Sequence, residues 1–139
     1  MESQKKDRMP GETDLKKMLK QLKPILNSGE YVYVSVPNFD SILRRDTLFE
    51  FQEEEGITLI LEKNKADALQ LPYEFVCSWI CLEVHSSLES VGLTAAFSTA
   101  LAESKISCNV VAGYYHDHLF VAKKHTEKAL EVLRNLSKF

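Results

Sequence analysis

From Trp79 to His85 the side chains alternate: Ile80, Leu82 and Val84 lie on one face, and Trp79, Cys81, Glu83 and His85 on the other. A period of two predicts a strand with unequal faces. The period then lengthens. Leu93, Phe97, Ala100 and Leu101 fall at helical spacing up to Ser104-Lys105, and Cys108 to Tyr114 returns to a strand rich in Val, Ala and Tyr. A turn at His116-Asp117-His118 leads to a short strand, Leu119 to Val121, and Thr126 opens a last helix whose Ala129, Val132, Leu133 and Leu136 form one apolar stripe. Strand, helix, strand, turn, strand, helix is the core of a split βαβ, ferredoxin-like unit.

The first half is less regular. Residues 1–11 are polar without periodicity and predict a disordered tail. Thr13 or Asp14 can cap a helix carrying Leu15, Met18, Leu19, Leu22, Ile25 and Leu26, with Pro24 distorting its last turn or ending it early. Asn27-Ser28-Gly29 stops it, Tyr31 to Val36 reads as a strand, and Pro37 closes that strand. Residues 37–55 give little signal beyond short structure around Leu48-Phe49. Gly56 precedes a strand from Ile57 to Leu61, and Lys65 to Leu71 suits a short helix before Pro72. Residues 59–69 align without gaps on residues 120–130, with identity at Lys63/Lys124, Ala68/Ala129 and Leu69/Leu130, which we read as a diverged duplication. The first copy starts with a helix and the second lacks a closing strand. Phe75 to Val84 is therefore expected to close the first sheet while opening the second.

The order and spacing of Glu89-Ser90-Val91-Gly92-Leu93, of Gly113 through Val121, and of Glu55-Gly56-Ile57-Thr58-Leu59-Ile60-Leu61 resemble the ACT domain, and the chain as a whole resembles small tandem-ACT proteins. The resemblance implies an α+β fold of two ferredoxin-like (βαββαβ) units with antiparallel sheets covered by helices. The expected organisation is a divergent N-terminal unit over 12–74 and a C-terminal unit over 75–139. It also implies a regulatory module that binds an amino acid or similar small metabolite at an interface. The expected ligand site is Ser86, Ser87, Leu88, Glu89, Ser90, Val91, Gly92 and Leu93, at a helix start whose unpaired amides suit a carboxylate. There Glu89 would offer its carboxylate to an ammonium group and Gly92 would allow close approach. The alternative is that Glu89 and Ser90 simply cap the helix.

Composition narrows the partners. With 17 basic and 20 acidic residues the net charge is -3, and no aromatic-interleaved basic face argues for nucleic acid. No apolar run approaches the roughly 20 residues that span a bilayer. The start of the chain lacks a signal-peptide core, so a cytoplasmic location is expected. Cys77, Cys81 and Cys108, an odd number on predicted strands, read as buried thiols in a reducing compartment. His116 and His118 are too few for a zinc site and are read as part of a hairpin. No nucleophile–base pair, phosphate loop or dinucleotide fingerprint appears, so no catalysis, metal or cofactor is expected. Unpaired sheet edges predict a homodimer, with a constitutive dimerisation or adaptor protein as the alternative function.

Overall fold

The computed structural model describes residues 12–84 and 91–138. Helix α1 (Glu12–Gln21) is followed by strands β1 (Lys23–Leu26) and β2 (Tyr31–Val36). A 3-10 turn (Arg44–Asp46) leads into β3 (Thr47–Gln52) and β4 (Ile57–Glu62), and then the short helix α2 (Lys63–Ala68). Strand β5 (Val76–Glu83) starts the second half, followed by α3 (Leu93–Glu103), β6 (Asn109–Ala112), β7 (Asp117–Ala122), a 3-10 turn (Lys123–His125) and α4 (Thr126–Leu136). The architecture is α+β, built of ferredoxin-like units with an antiparallel sheet and helices, as the sequence predicts.

All seven strands form one sheet in the order β3-β4-β2-β5-β7-β6, with β1 also bonded to β5. Strand β5 closes one half and opens the other. Its first residues pair with β2 (Tyr31 with Cys77, Val32 with Val76), and its whole length from Cys77 pairs with β7. The sheet of the C-terminal half takes a strand from the N-terminal half: β1 pairs antiparallel with β5, Lys23 opposite Glu83 and Leu26 opposite Ile80. The predicted helix over Leu15 to Leu26 therefore stops at Gln21, and Ile25 and Leu26 belong to a strand. Pro24 is tolerated because β1 bonds to one neighbour only among the described residues, so a missing donor can face outward.

Three further expectations shift. The hairpin turn is Gly113–His116, with Asp117 and His118 inside β7. The poorly patterned segment 37–55 contains β3, whose alternation is broken by a bulge between Thr47 and Phe49. The two halves correspond at a spacing of sixty residues, one fewer than the ungapped alignment suggests. β4 and β7 then share the same pattern of three consecutive buried residues, and the turns Glu53–Gly56 and Gly113–His116 close with matching bonds of 2.9 and 2.8 Å. At that spacing the identities at Ala68/Ala129 and Leu69/Leu130 are coincidental, since Ala68 is exposed and Ala129 buried.

One face of the sheet carries the helices. Leu93, Phe97 and Leu101 of α3 and Ala129, Leu130 and Leu133 of α4 pack with Leu22, Ile80, Leu82, Leu119 and Val121. Burying each such side chain contributes about 1.5–3 kcal/mol. The N-terminal half has no α-helix between β2 and β3, and Ile42 and Phe39 cover Val32, Val34, Val36, Leu59 and Leu61 instead. The other face is aromatic, with Tyr31, Tyr33, Phe49, Phe75, Trp79 and Phe120 packed around Ile60 and Cys77. Tyr33 and Phe120 meet edge to face at 6.0 Å, although β5 separates their strands. Leu48 and Phe49 of one outer strand and Val111 of the other line one cavity of about 70 Å³. The sheet is thus rolled around its aromatic face.

Candidate functional site

The junction between β5 and α3 holds the residues singled out by sequence. Ser86, Ser87, Leu88, Glu89 and Ser90 lie outside the described residues, while Val91, Gly92 and Leu93 are described. Val91 is well exposed, and Leu93 is buried in the helix-side core. Gly92 takes φ +101°, ψ -26°, and its carbonyl accepts the first backbone bond of α3, from the Ala96 amide at 2.9 Å. The amides of Leu93, Thr94 and Ala95 come before that bond, which leaves them the orphan donors of a helix start. A Cβ at position 92 would lie 3.6 Å from Leu15 Cδ2, so α1 rests directly on this helix start.

Beside the junction is a cleft of about 410 Å³ lined by Gln21, Lys23, Glu83, Val84, Tyr115 and His116. Each wall has a local cause. Gln21 ends α1 and Lys23 begins β1. Glu83 and Val84 lie where β5 stops pairing, and Tyr115 and His116 form the tip of the β6–β7 hairpin. Lys23 and Glu83 are direct cross-strand partners, which puts their Cα atoms about 4.5–5.5 Å apart and their side chains on the same face. Both are exposed. An ammonium and a carboxylate side by side match the carboxylate and ammonium of a zwitterion. Tyr115 is 76% exposed and in edge contact with Tyr114 at 4.9 Å, so aromatic surface stands at the mouth of the cleft.

Sequence reasoning missed Gln21, Lys23, Glu83 and Tyr115. The signal for Lys23 was Pro24, which marks the end of the helix. Pairing with Glu83 depends on a contact sixty residues away that no local pattern encodes.

Elsewhere on β7, His118 is the cross-strand partner of Cys81, and its Nδ1 accepts a 3.0 Å bond from Trp79 Nε1–H. That bond requires an unprotonated Nδ1. Burial, and then the neighbouring His116, hold the imidazole below its ordinary pKa, consistent with a neutral ring. Burial pushes the Asp117 carboxyl upward. It also raises the Cys77 thiol to about 12, the Cys108 thiol to about 11, and the Cys81 thiol, where Glu83 and Asp117 add to the shift. These thiols are poor nucleophiles. Among the described residues, no group of three or more His, Cys, Asp or Glu side chains could hold a metal ion, and no helix is long and apolar enough to cross a membrane.

Two family models, each describing an ACT domain, match residues 10–78 and 74–135. No curated protein matches the chain. Among solved structures, a protein of unknown function from Vibrio cholerae, a possible transport protein, is similar at 44% identity with a TM-score of 0.82, covering 90% of this chain and 97% of that one. A protein from Agobacterium tumefaciens shares the fold at 15% identity and a TM-score of 0.65, covering 84% and 90%. The ligand-free regulatory subunit of aspartate kinase from Thermus thermophilus shares it at 9% identity and 0.59, covering 81% and 95%. On these matches, and on a sheet in which each half completes the other, the chain belongs to the ACT domain family and carries two such domains in tandem.

Proposed function

We propose that this protein is a regulatory module that binds a free amino acid or closely related zwitterion, with no catalysis of its own. The observation that carries the reading is the 410 Å³ cleft in which Lys23 and Glu83 stand side by side. Lys23 takes the ligand carboxylate and Glu83 its ammonium group, and the side chain lies toward Tyr115 and His116. Glu89, Gly92 and the α3 amides are kept, on the sequence reading, as further candidate contacts for the ligand. The units at 12–74 and 75–139 are unequal in this respect, because the first has no α-helix between β2 and β3 and so no helix start equivalent to that of α3. Regulatory ACT neighbours such as the Thermus subunit support the class of function. We place the protein in the cytoplasm, in keeping with three free cysteines, none of them in a disulfide.

A second reading, a constitutive homodimer or adaptor, draws support from the outer strands. β3 and β6 have one strand neighbour each among the described residues, and Phe51 on β3 is 60% exposed. The test that separates the two is a thermal-shift screen of the full chain against the twenty L-amino acids, with sedimentation in parallel. A ligand at 100 times its dissociation constant stabilises by about 2.7 kcal/mol. A hit lost in both Lys23→Gln and Glu83→Gln supports the sensor. A dimer with no response to any amino acid supports the adaptor.

A further inference from the structure

The wall of the cleft that carries Gln21 and Lys23 is also the segment that completes the sheet of the C-terminal half. α1 and β1 together form a strap, residues 12–26. It crosses the start of α3 through Leu15, plugs Leu22 into the core, and lies along β5 from Ile80 to Glu83. Several features make it a short, edge-bound part of the sheet. β1 has four residues, one of them proline, and one bonded neighbour among the described residues, and its Leu26 is 42% exposed. A ten-residue helix is marginal without packing. The strap joins the body through Asn27–Glu30, in which Gly29 takes φ +98°. With the strap lifted, β5 stays paired to β7 along its length and to β2 at Val76 and Cys77, and only its Ile80–Glu83 edge loses a partner.

We infer that the strap is the regulated element: ligand in the cleft clamps residues 12–26 onto β5, and an empty cleft lets them lift and bare the β5 edge from Ile80 to Glu83. This rests on the amino-acid reading above. The lifted state has lost Gln21 and Lys23 and no longer binds the zwitterion, so ligand and strap share one equilibrium. The bared edge presents Ile80 and Leu82 with an acidic end at Glu83, and it accepts an extended apolar strand beginning with a basic residue. This chain's own Lys23-Pro24-Ile25-Leu26 has that register, so a second copy offering its strap is the partner the edge fits.

Hydrogen exchange read by mass spectrometry on the full chain tests this, using an equimolar mixture of the twenty L-amino acids as probe and a titration of that mixture for its apparent affinity. At 100 times the apparent dissociation constant, exchange in peptides covering residues 15–27 is expected to slow about a hundredfold, while β3 and β4 change little. Binding with less than a threefold change in those peptides overturns the strap and leaves the amino-acid reading standing. No binding at all removes both. A second arm needs no ligand. Ile25 and Cys81 are direct cross-strand partners, so in Ile25→Cys, oxidised with glutathione disulfide, the strap is tethered to β5. The tethered protein is expected to exchange slowly over residues 15–27 without ligand and to gain no further protection from the mixture. If the cross-link, verified by mass, leaves exchange there as fast as in the reduced variant, the inference fails.

Discussion

Replacing Gly92 by alanine isolates a backbone requirement at the start of α3. A methyl group there is not crowded, because the nearest side-chain atoms, Leu15 Cδ2 and Cδ1, lie at 3.6 and 3.7 Å, an ordinary contact. The penalty comes from φ +101°, where an L-residue is strained by about 1–3 kcal/mol. With about 2.1 cal/mol/K of unfolding entropy per residue over 139 residues, each kcal/mol corresponds to roughly 3 °C. Gly92→Ala is therefore expected to melt about 3–10 °C below the parent in a calorimetric scan, and Gly92→Val lower still. Val91→Ala, one residue earlier and 69% exposed, is the control and stays within about 0.5 kcal/mol. A Gly92→Ala protein melting within 1 °C of the parent would refute the left-handed start of α3. The same result dictates how the site is probed, since a bulky residue at 92 weakens the fold and the ligand together.

Lys23→Gln and Glu83→Gln are each expected to weaken amino-acid binding by about 10–100-fold in calorimetric titration, the range for a lost charged hydrogen bond, while leaving the melting temperature near that of the parent because both side chains are exposed. Phe97→Ala removes a fully buried ring and is expected to cost about 3–5 kcal/mol in urea unfolding. His118 has a folded pKa held below the unfolded value of about 6.5, so as pH falls through that value the unfolded chain takes up a proton that the folded chain refuses, and stability declines. His118→Gln, which keeps an acceptor for Trp79, is expected to flatten that decline in denaturant midpoints measured between pH 7 and 5. Asp117, with its pKa raised, acts with opposite sign in a lower window: its contribution is present below about pH 3.8 and lost as pH rises through the folded value. Iodoacetamide at pH 8 is expected to label Cys77 and Cys108 far more slowly in the native protein than in denaturant, and equal rates would contradict their burial.

The elements most legible in the sequence were those whose partners repeat a simple period. Leu93, Phe97 and Leu101 mark α3, and Ile80 and Leu82 mark β5, because a buried face imposes its spacing directly. Ile25 and Leu26 were misassigned for the same reason in reverse: they continue the helical spacing of Leu15 to Leu22, and only the contact with β5 makes them a strand. β3 was faint because its bulge puts Leu48 and Phe49 out of alternation. The site divided along the same line. The helix start at Gly92 has a local signature, whereas the Lys23–Glu83 pair comes from two distant segments.

The placement of β1 also has a consequence for synthesis. Lys23–Leu26 is made before every other described strand, yet the residues it pairs with, Ile80 to Glu83, come some sixty codons later, after about 3–12 s of elongation. During that interval β2, β3 and β4 can pair with one another, while the side of β2 that meets β5 and the apolar pair Ile25-Leu26 both wait. The nascent chain therefore completes its middle before its beginning, and the earliest-made strand is held in reserve.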